Sequence, residues 1–107
     1  MANVFTNAKK DLTTNSETVV YTVPASTHAV VNVSILNRST SSASTVRLAL
    51  SSTGSPGNAE WIEYGVSVPK AAVLERTAIS LNAGKNVVAW ASGSDCSVSV
   101  YGIEQAV

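Results

Sequence analysis

Apolar residues recur at every second position through most of the 107-residue chain, and this period most constrains its fold. In "AVVNVSILNR", for example, Val31, Val33 and Ile35 fall on one side, whereas Asn32 and Ser34 fall on the other. Such alternation is typical of a strand with one buried and one solvated face, and helical periodicity is absent almost everywhere. Seven such segments follow one another at regular spacing, with an eighth possible at "NVFT". The sequence therefore predicts an all-β fold, an antiparallel β-sandwich or jelly-roll-like arrangement of about seven to eight strands.

Two large aromatic residues fall on predicted inward stripes. Strict alternation through "EWIEYGVSV" places Tyr64 on the same face as Val66. The same reasoning in "NVVAWA" groups Trp90 with Val88, so we expect both aromatic side chains to pack in the core. Trp61 lies off the inward stripe, and if exposed it could anchor a protein interface or a sugar.

The N-terminal segment departs from the alternating pattern, because "FTNAKKDLTTNSE" is mostly polar. Residues 1–16 are predicted to form either an arm that becomes ordered on a partner or a strand at the outer edge of one sheet, and both interpretations stay open. Residues 17–107 are predicted to form a single sandwich domain. The residues expected to contact a partner from the arm are the apolar Phe5 and Leu12 and the charged Lys9 and Lys10.

The charge content is low and balanced, with seven Lys or Arg against seven Asp or Glu. A surface of this kind has little long-range repulsion between copies, which suits a protein that works packed against neighbours. It also lacks the positive charge that favours nucleic acid as a partner. Because no apolar run is long enough for a membrane span or a secretory signal, we expect no membrane partner and expect the protein to be made in the cytoplasm and kept there or released by lysis.

No combination of residues is typical of catalysis, a metal site or a cofactor site. His28 is the only histidine, which excludes a two-histidine metal site within one chain. Cys96 is the only cysteine, and the negative charge of Asp95 beside it disfavours a reactive thiolate. Glu60 and Glu63 lie three residues apart on a predicted strand, face opposite sides and are interpreted as solubilising charges. We therefore expect no catalytic residues, no metal, no cofactor and no enzymatic activity.

Three stretches of the chain are informative when taken together: "VVYTVPASTHAVVNVSILNRS", "AEWIEYGVSVPKAAVLERTAISLNAGKNVVAWAS" and "VSVYGIE". In this order they resemble a group of short virion proteins of tailed bacteriophages, in which Tyr-Thr-Val-Pro, Ile-Glu-Tyr, Leu-Glu-Arg-Thr and Val-Tyr-Gly-Ile-Glu segments recur. The resemblance covers about residues 19–104. It implies a structural protein of the particle with a β-sandwich fold and no catalytic residues.

The leading hypothesis is therefore a non-enzymatic virion protein that decorates or cements the capsid in many copies. Its expected partners are the major capsid protein or a tail protein, together with further copies of itself, a trimer being favoured. Arg76 in "LERT" is expected to pair with Glu75 of a neighbouring copy or with a carboxylate on another strand. Two alternatives stay open: a virion protein of the tail, neck or fibre, and a carbohydrate-binding module with a platform of Trp61, Tyr64 and Trp90.

Overall fold

The structure is a computed structural model that describes residues 3–107, so the first two residues of the predicted N-terminal segment lie outside the described residues. In this part of the chain no helix is long and apolar enough to cross a membrane. A single 3₁₀ turn at Asn58–Glu60 interrupts an otherwise all-β chain. The strands are β1 (Asn3–Asp11), β2 (Thr18–Thr22), β3 (Thr27–Asn37), β4 (Ser44–Ser51), β5 (Trp61–Val68), β6 (Val73–Leu81), β7 (Asn86–Ala91) and β8 (Cys96–Ala106).

The strands form two antiparallel four-stranded sheets, which confirms the predicted β-sandwich. Sheet A has the order β1-β8-β3-β6, and sheet B has the order β2-β7-β4-β5. Four of the pairings are nested, with β4–β5 innermost, then β3–β6, β2–β7 and finally β1–β8. The β3–β8 and β4–β7 pairings complete the two sheets. Eight strands connected in this way form a jelly roll.

The core lies between the sheets and is filled by the inward stripes of their central strands. On β3 the alternating residues Val31, Val33 and Ile35 are fully buried, as the sequence predicts. Alternating residues of β8 are buried in the same core, and they include Cys96, whose thiol is free. Most of the core consists of valine, alanine and leucine, whose compact side chains suit two sheets packed face to face. The central strands therefore have the two-residue period that the sequence shows.

The prediction that Tyr64 packs in the core is wrong, because β5 contains a bulge at Gly65. Val66 pairs with Val46, but the next pair joins Tyr64 to Arg47, so Gly65 has no partner of its own. Gly65 has a φ of +78°, which a residue without a side chain adopts readily. The extra residue reverses the alternation, and Tyr64 lies on the outer face with 62% of its surface exposed.

The prediction that Trp90 packs in the core is also wrong. On β7 the core residues are Val87, Ala89 and Ala91, and Trp90 lies on the outer face of sheet B. Val88 is buried as well but outside the core cluster. A strand that is apolar on both faces fits two registers equally well, so its alternation does not identify the inward side.

Polar contacts join the sheets at opposite sides of the sandwich. On one side the Tyr21 hydroxyl of β2 donates a hydrogen bond to the Glu104 carboxylate of β8. Burial, together with this hydrogen bond and the charge of Glu104, raises the pKa of Tyr21 above its ordinary value. On the other side Arg76 of β6 forms an ion pair of 2.6 Å with Glu63 of β5. Both contacts connect a strand of one sheet to a strand of the other.

Substitution of Gly102 by alanine is expected to destabilise the fold strongly. A Cβ atom at this position of β8 would lie 2.1 Å from the backbone oxygen of Val30 and 2.7 Å from the Cα of Val31. Since the obstacle is backbone, β3 and β8 would have to separate, and we expect a loss of about 3 kcal/mol, the upper end of the usual range for overpacking. Urea denaturation of Gly102→Ala measures this loss.

Gly57→Ala is the matched control, because its added Cβ would meet only the Oε1 of Glu60 at 3.9 Å and its φ of −83° suits any residue. We expect a change within about 0.5 kcal/mol for this variant. Equal stabilities of the two variants would contradict the close approach of β3 and β8.

Candidate functional site

The outer face of sheet A carries a line of exposed apolar side chains across three neighbouring strands. Phe5 of β1 pairs with Ile103 of β8, which in turn pairs with Val30 of β3. Their exposed fractions are 85%, 41% and 52%. We name these three residues the apolar row. Exposed apolar side chains that adjoin one another on a flat face are typical of an interaction surface.

The apolar row results from the same register that builds the core. Because side chains alternate along β3, burial of its neighbours Ala29 and Val31 turns Val30 outward. Surface depressions of about 250 and 260 Å³ flank Ile103, one toward Phe5 and the other toward His28. The apolar row therefore protrudes beside depressions that side chains of a partner can fill.

Polar groups surround the apolar row. Along β1, the exposed Lys9 lies four residue pairs beyond Phe5 on the same face. Farther along, Asp11 forms an ion pair of 2.8 Å with Arg38, and both side chains are largely open to solvent. Such exposed ion pairs contribute only about 0–1 kcal/mol to stability, so they are more informative about specificity than about folding. An apolar centre with a charged periphery is the usual composition of a protein interface.

The structure separates the six residues that the sequence suggested as interface contacts. Phe5 and Lys9 share the outer face of sheet A, whereas the exposed Lys10 alternates to the other side of β1. The segment that contains them forms the edge strand β1, one of the two interpretations of the N-terminus. Arg76 lies at the opposite edge of sheet A, paired with a carboxylate on another strand of its own chain. Trp61 lies on sheet B.

Leu12 requires a correction, because it belongs to the core and is not available to a partner. Only 3% of its surface is exposed, and its backbone N–H donates a hydrogen bond of 2.9 Å to the Cys96 carbonyl. Leu12 follows the last residue of β1 and packs into the cluster between the sheets. The mostly polar surroundings of Leu12 in the sequence conceal its role as the apolar contact that fixes the end of an edge strand.

The outer face of sheet B carries a second notable group, which we name the aromatic stack: Trp61, Tyr64, Trp90 and Arg47. The guanidinium carbon of Arg47 lies 4.3 Å from the ring centre of Tyr64 and 4.0 Å from that of Trp90. The register explains the arrangement, since Arg47 pairs with Tyr64 on one side and with Trp90 on the other. Trp61 meets Tyr64 at 5.3 Å with an angle of 76° between the rings. Cation–π and edge-to-face contacts therefore hold all four side chains together.

Arg47 differs from the other two arginines of the chain in having no carboxylate partner. Among residues 3–107 the ion pairs are those of Arg38 with Asp11 and Arg76 with Glu63. The Nε–H group of Arg47 is buried and finds no acceptor in this part of the chain, although the residue as a whole is only partly buried. The stack thus holds an immobilised positive charge without a neutralising group.

Glu60 positions the strand that carries Trp61 and Tyr64. Its carboxylate accepts hydrogen bonds from the backbone N–H groups of Gly57 and Ser52, both at 3.0 Å, and from the Ser51 hydroxyl at 2.8 Å. These bonds stabilise the ionised carboxylate and lower the pKa of Glu60 to about 2. The interpretation of Glu60 as a solubilising charge is therefore wrong, because it closes the loop between β4 and β5.

Sequence reasoning missed Val30 and Ile103 as surface residues and Arg47 as a site residue. Val30 stands in an apolar run, and nothing in that run indicates that its outward position stays uncovered. Arg47 lies on the outer face of sheet B, within a strand whose other face is buried. The contacts of Arg47 with Tyr64 and Trp90 depend on register across three strands, which a single sequence does not reveal.

No protein-family model, curated protein or solved structure matches the chain. Among residues 3–107, no three His, Cys, Asp or Glu side chains are grouped as a metal ion would require.

Acidification is expected to weaken the fold through Glu60. Since the pKa of Glu60 is about 2 in the folded chain and near 4.5 in the unfolded chain, its stabilisation is complete above pH 4.5 and is lost as the pH falls to about 2. The difference in melting temperature between the native chain and Glu60→Gln should therefore be largest at pH 6 and should shrink toward pH 2. Circular dichroism melts at several pH values measure this difference.

Glu17→Gln serves as the control, because the exposed Glu17 makes no side-chain hydrogen bond or ion pair with residues 3–107. The difference in melting temperature between Glu17→Gln and the native chain should stay small at every pH. A difference between the native chain and Glu60→Gln that does not change with pH would exclude the proposed role of the ionised carboxylate.

Leu12 and Phe5 should differ sharply in their effect on stability although both are apolar residues of the N-terminal segment. Leu12→Ala removes buried contacts and leaves a cavity, so we expect a loss of about 2–5 kcal/mol. Phe5→Ser removes a side chain that is 85% exposed, and we expect a change within about 0.5 kcal/mol. Urea denaturation gives both values, and a large loss for Phe5→Ser would mean that Phe5 packs in the fold.

Proposed function

We propose that the protein is a non-enzymatic structural protein of a bacteriophage particle, which docks in many copies on the capsid through the outer face of sheet A. The observation that carries this proposal is the apolar row of Phe5, Ile103 and Val30. The resemblance of residues 19–104 to short virion proteins of tailed phages supplies the biological setting. A decoration or cement protein needs an accessible surface of this kind on a small, stable domain.

The energetics of the apolar row favour docking. Phe5 is the largest apolar side chain of the row and is almost fully open to solvent, so burial against a partner would contribute about 2 kcal/mol. Because Phe5 lies on a paired strand, little backbone entropy is lost when it is buried. The depressions beside Ile103 provide space for side chains of the shell protein. A few such contacts at the centre of an interface usually supply most of its affinity.

The low charge of the chain supports dense packing of copies. With seven positive and seven negative residues, neighbouring copies on a shell do not repel one another over long distances. Edge strands β1 and β6 of sheet A have unpaired backbone groups along one side, and they offer further contacts between copies. Closed symmetric assemblies are the common outcome of such contacts, and a trimer is the form we favour on a shell.

The proposal predicts that Phe5→Ser abolishes loading onto particles while the chain stays folded. Purified native protein and variant are each added to particles that lack the protein, and quantitative mass spectrometry gives copies per shell protein. Truncation of a central apolar anchor commonly costs about 2 kcal/mol or more, so occupancy below saturation should fall by at least about tenfold.

Val4→Ser is the matched control, because Val4 is an exposed apolar residue on the same strand but lies on its other side. Normal loading of Phe5→Ser would reject the apolar row as the docking surface. A native copy number close to that of the shell protein supports decoration of the capsid, whereas a few copies per particle would place the protein at the tail, neck or fibre. Absence from particles would reject a virion role.

A further inference from the structure

The aromatic stack on sheet B is not used by docking through sheet A, and its chemistry indicates a different ligand. We propose that Arg47 and its aromatic neighbours form a binding site for saccharides that carry a carboxylate, such as uronic and sialic acids. The site combines one immobilised guanidinium with three aromatic rings on an outer face.

The orientation of Arg47 favours a carboxylate over other anions. Its guanidinium lies between Tyr64 and Trp90, with the central carbon 4.3 and 4.0 Å from their ring centres, so we expect a ligand to approach its N–H groups between the two rings. A planar fork of donors matches the two oxygens of a carboxylate. The rings also hold the long side chain in one conformation, which reduces the entropy lost when a ligand binds.

The charge of Arg47 is available because no acidic group of residues 3–107 neutralises it. Arg38 and Arg76 each have a carboxylate within 2.8 Å, whereas Arg47 has none. Its buried Nε–H lacks an acceptor among these residues, and the side chain as a whole is only partly buried. An unpaired cation with an unsatisfied donor gains most from a ligand that supplies both negative charge and hydrogen-bond acceptors.

The aromatic rings favour a sugar as the remainder of the ligand. The C–H groups on one side of a sugar ring are apolar and slightly positive, and they pack on the negative face of an aromatic ring. Tyr64 offers such a face, with 62% of its surface exposed, and Trp61 stands nearly perpendicular to it at 76°. A carboxylate on a flexible protein side chain would pair with Arg47 but would leave the space between the rings of Tyr64 and Trp61 unfilled.

The position of the aromatic stack suits a ligand on the surface of a host cell, and this one step rests on the proposed function. If sheet A docks on the particle, the outer face of sheet B points away from it, toward the medium. Acidic polysaccharides of a cell envelope are then accessible to many copies at once, and repeated weak binding adds up to firm attachment. The chemistry of the site itself does not depend on docking.

The chain contains two tryptophans, Trp61 and Trp90, and both belong to the aromatic stack. Intrinsic tryptophan fluorescence therefore reports on this site alone. The purified protein is titrated with trigalacturonate and with sialyllactose, and each titration is repeated with the methyl ester of the same sugar, in which the carboxylate is masked. We expect saturable fluorescence changes with at least one acid and a loss of affinity of at least about tenfold for its ester.

Variants separate the roles of charge and rings. Arg47→Gln should weaken binding of the acid by at least about tenfold and leave binding of the ester unaffected. Arg47→Lys keeps the charge but not the planar fork of donors, so its affinity for the acid should lie between those of the native chain and Arg47→Gln. Tyr64→Ala should weaken binding of both the acid and the ester. Arg38→Gln, at an exposed arginine that follows β3 of sheet A and pairs with Asp11, is the control that should bind normally. If Arg47→Gln fails to fold, the comparison of acid with ester on the native chain still decides the question.

Equal affinity for acid and ester, or an unchanged affinity in Arg47→Gln, would overturn the inference. Binding of polyglutamate as tight as that of the acidic sugars would overturn its saccharide part, and no response to any acid would overturn it entirely. Because loading onto particles is measured separately with Phe5→Ser, failure of sugar binding leaves the docking proposal standing, and failure of docking leaves the sugar site standing.

Discussion

The pairing of β3 with β8 is the constraint on which the rest of the jelly roll depends. It consists of eleven consecutive residue pairs, from Thr27 with Ala106 to Asn37 with Cys96. The two edge strands of sheet A attach on either side of this pair, and one face of the pair fills much of the core. The same register turns Val30 and Ile103 outward, so a slip of one residue would exchange the core with the apolar row. Core packing and surface chemistry are thus set together on this sheet.

Sheet B obtains its surface chemistry from an irregularity. The bulge at Gly65 adds one residue to β5, and the reversal of alternation has two effects. It places Tyr64 beside Arg47 on the outer face, and it brings Glu63 to the side on which Arg76 of the other sheet can reach it. A single glycine therefore contributes both to the aromatic stack and to the contact that joins the sheets along β5 and β6. Bulges with such effects are common beside functional sites.

The sequence predicted the fold well where strands are regular and one face is polar. The buried stripes of β3, β4 and β8 and the count of strands follow from alternation, since polar residues such as Asn32 and Ser34 of β3 interrupt the opposite side. Alternation failed at Tyr64, because a bulge resets the period, and at Trp90, because β7 is apolar on both faces. Phe5 was singled out as an apolar residue in a polar segment, whereas its partners Ile103 and Val30 were not, because their exposure depends on what covers the sheet and not on local pattern. The composition of a surface that spans several strands becomes visible only when their register is known.

The nested pairing of strands also orders their assembly in time. β4 and β5 are joined by the residues 52–60 and can pair early, whereas β1 and β8 come from opposite ends of the described chain. Each strand pair that forms shortens the loop that the next pair must close. This favours sequential pairing of strands, from the innermost pair outward. On this route β1 is the last strand to pair, and as an edge strand it has one partner only. A strand that pairs late can instead pair with the β8 of a neighbouring copy during folding, which would link the copies by exchanged strands.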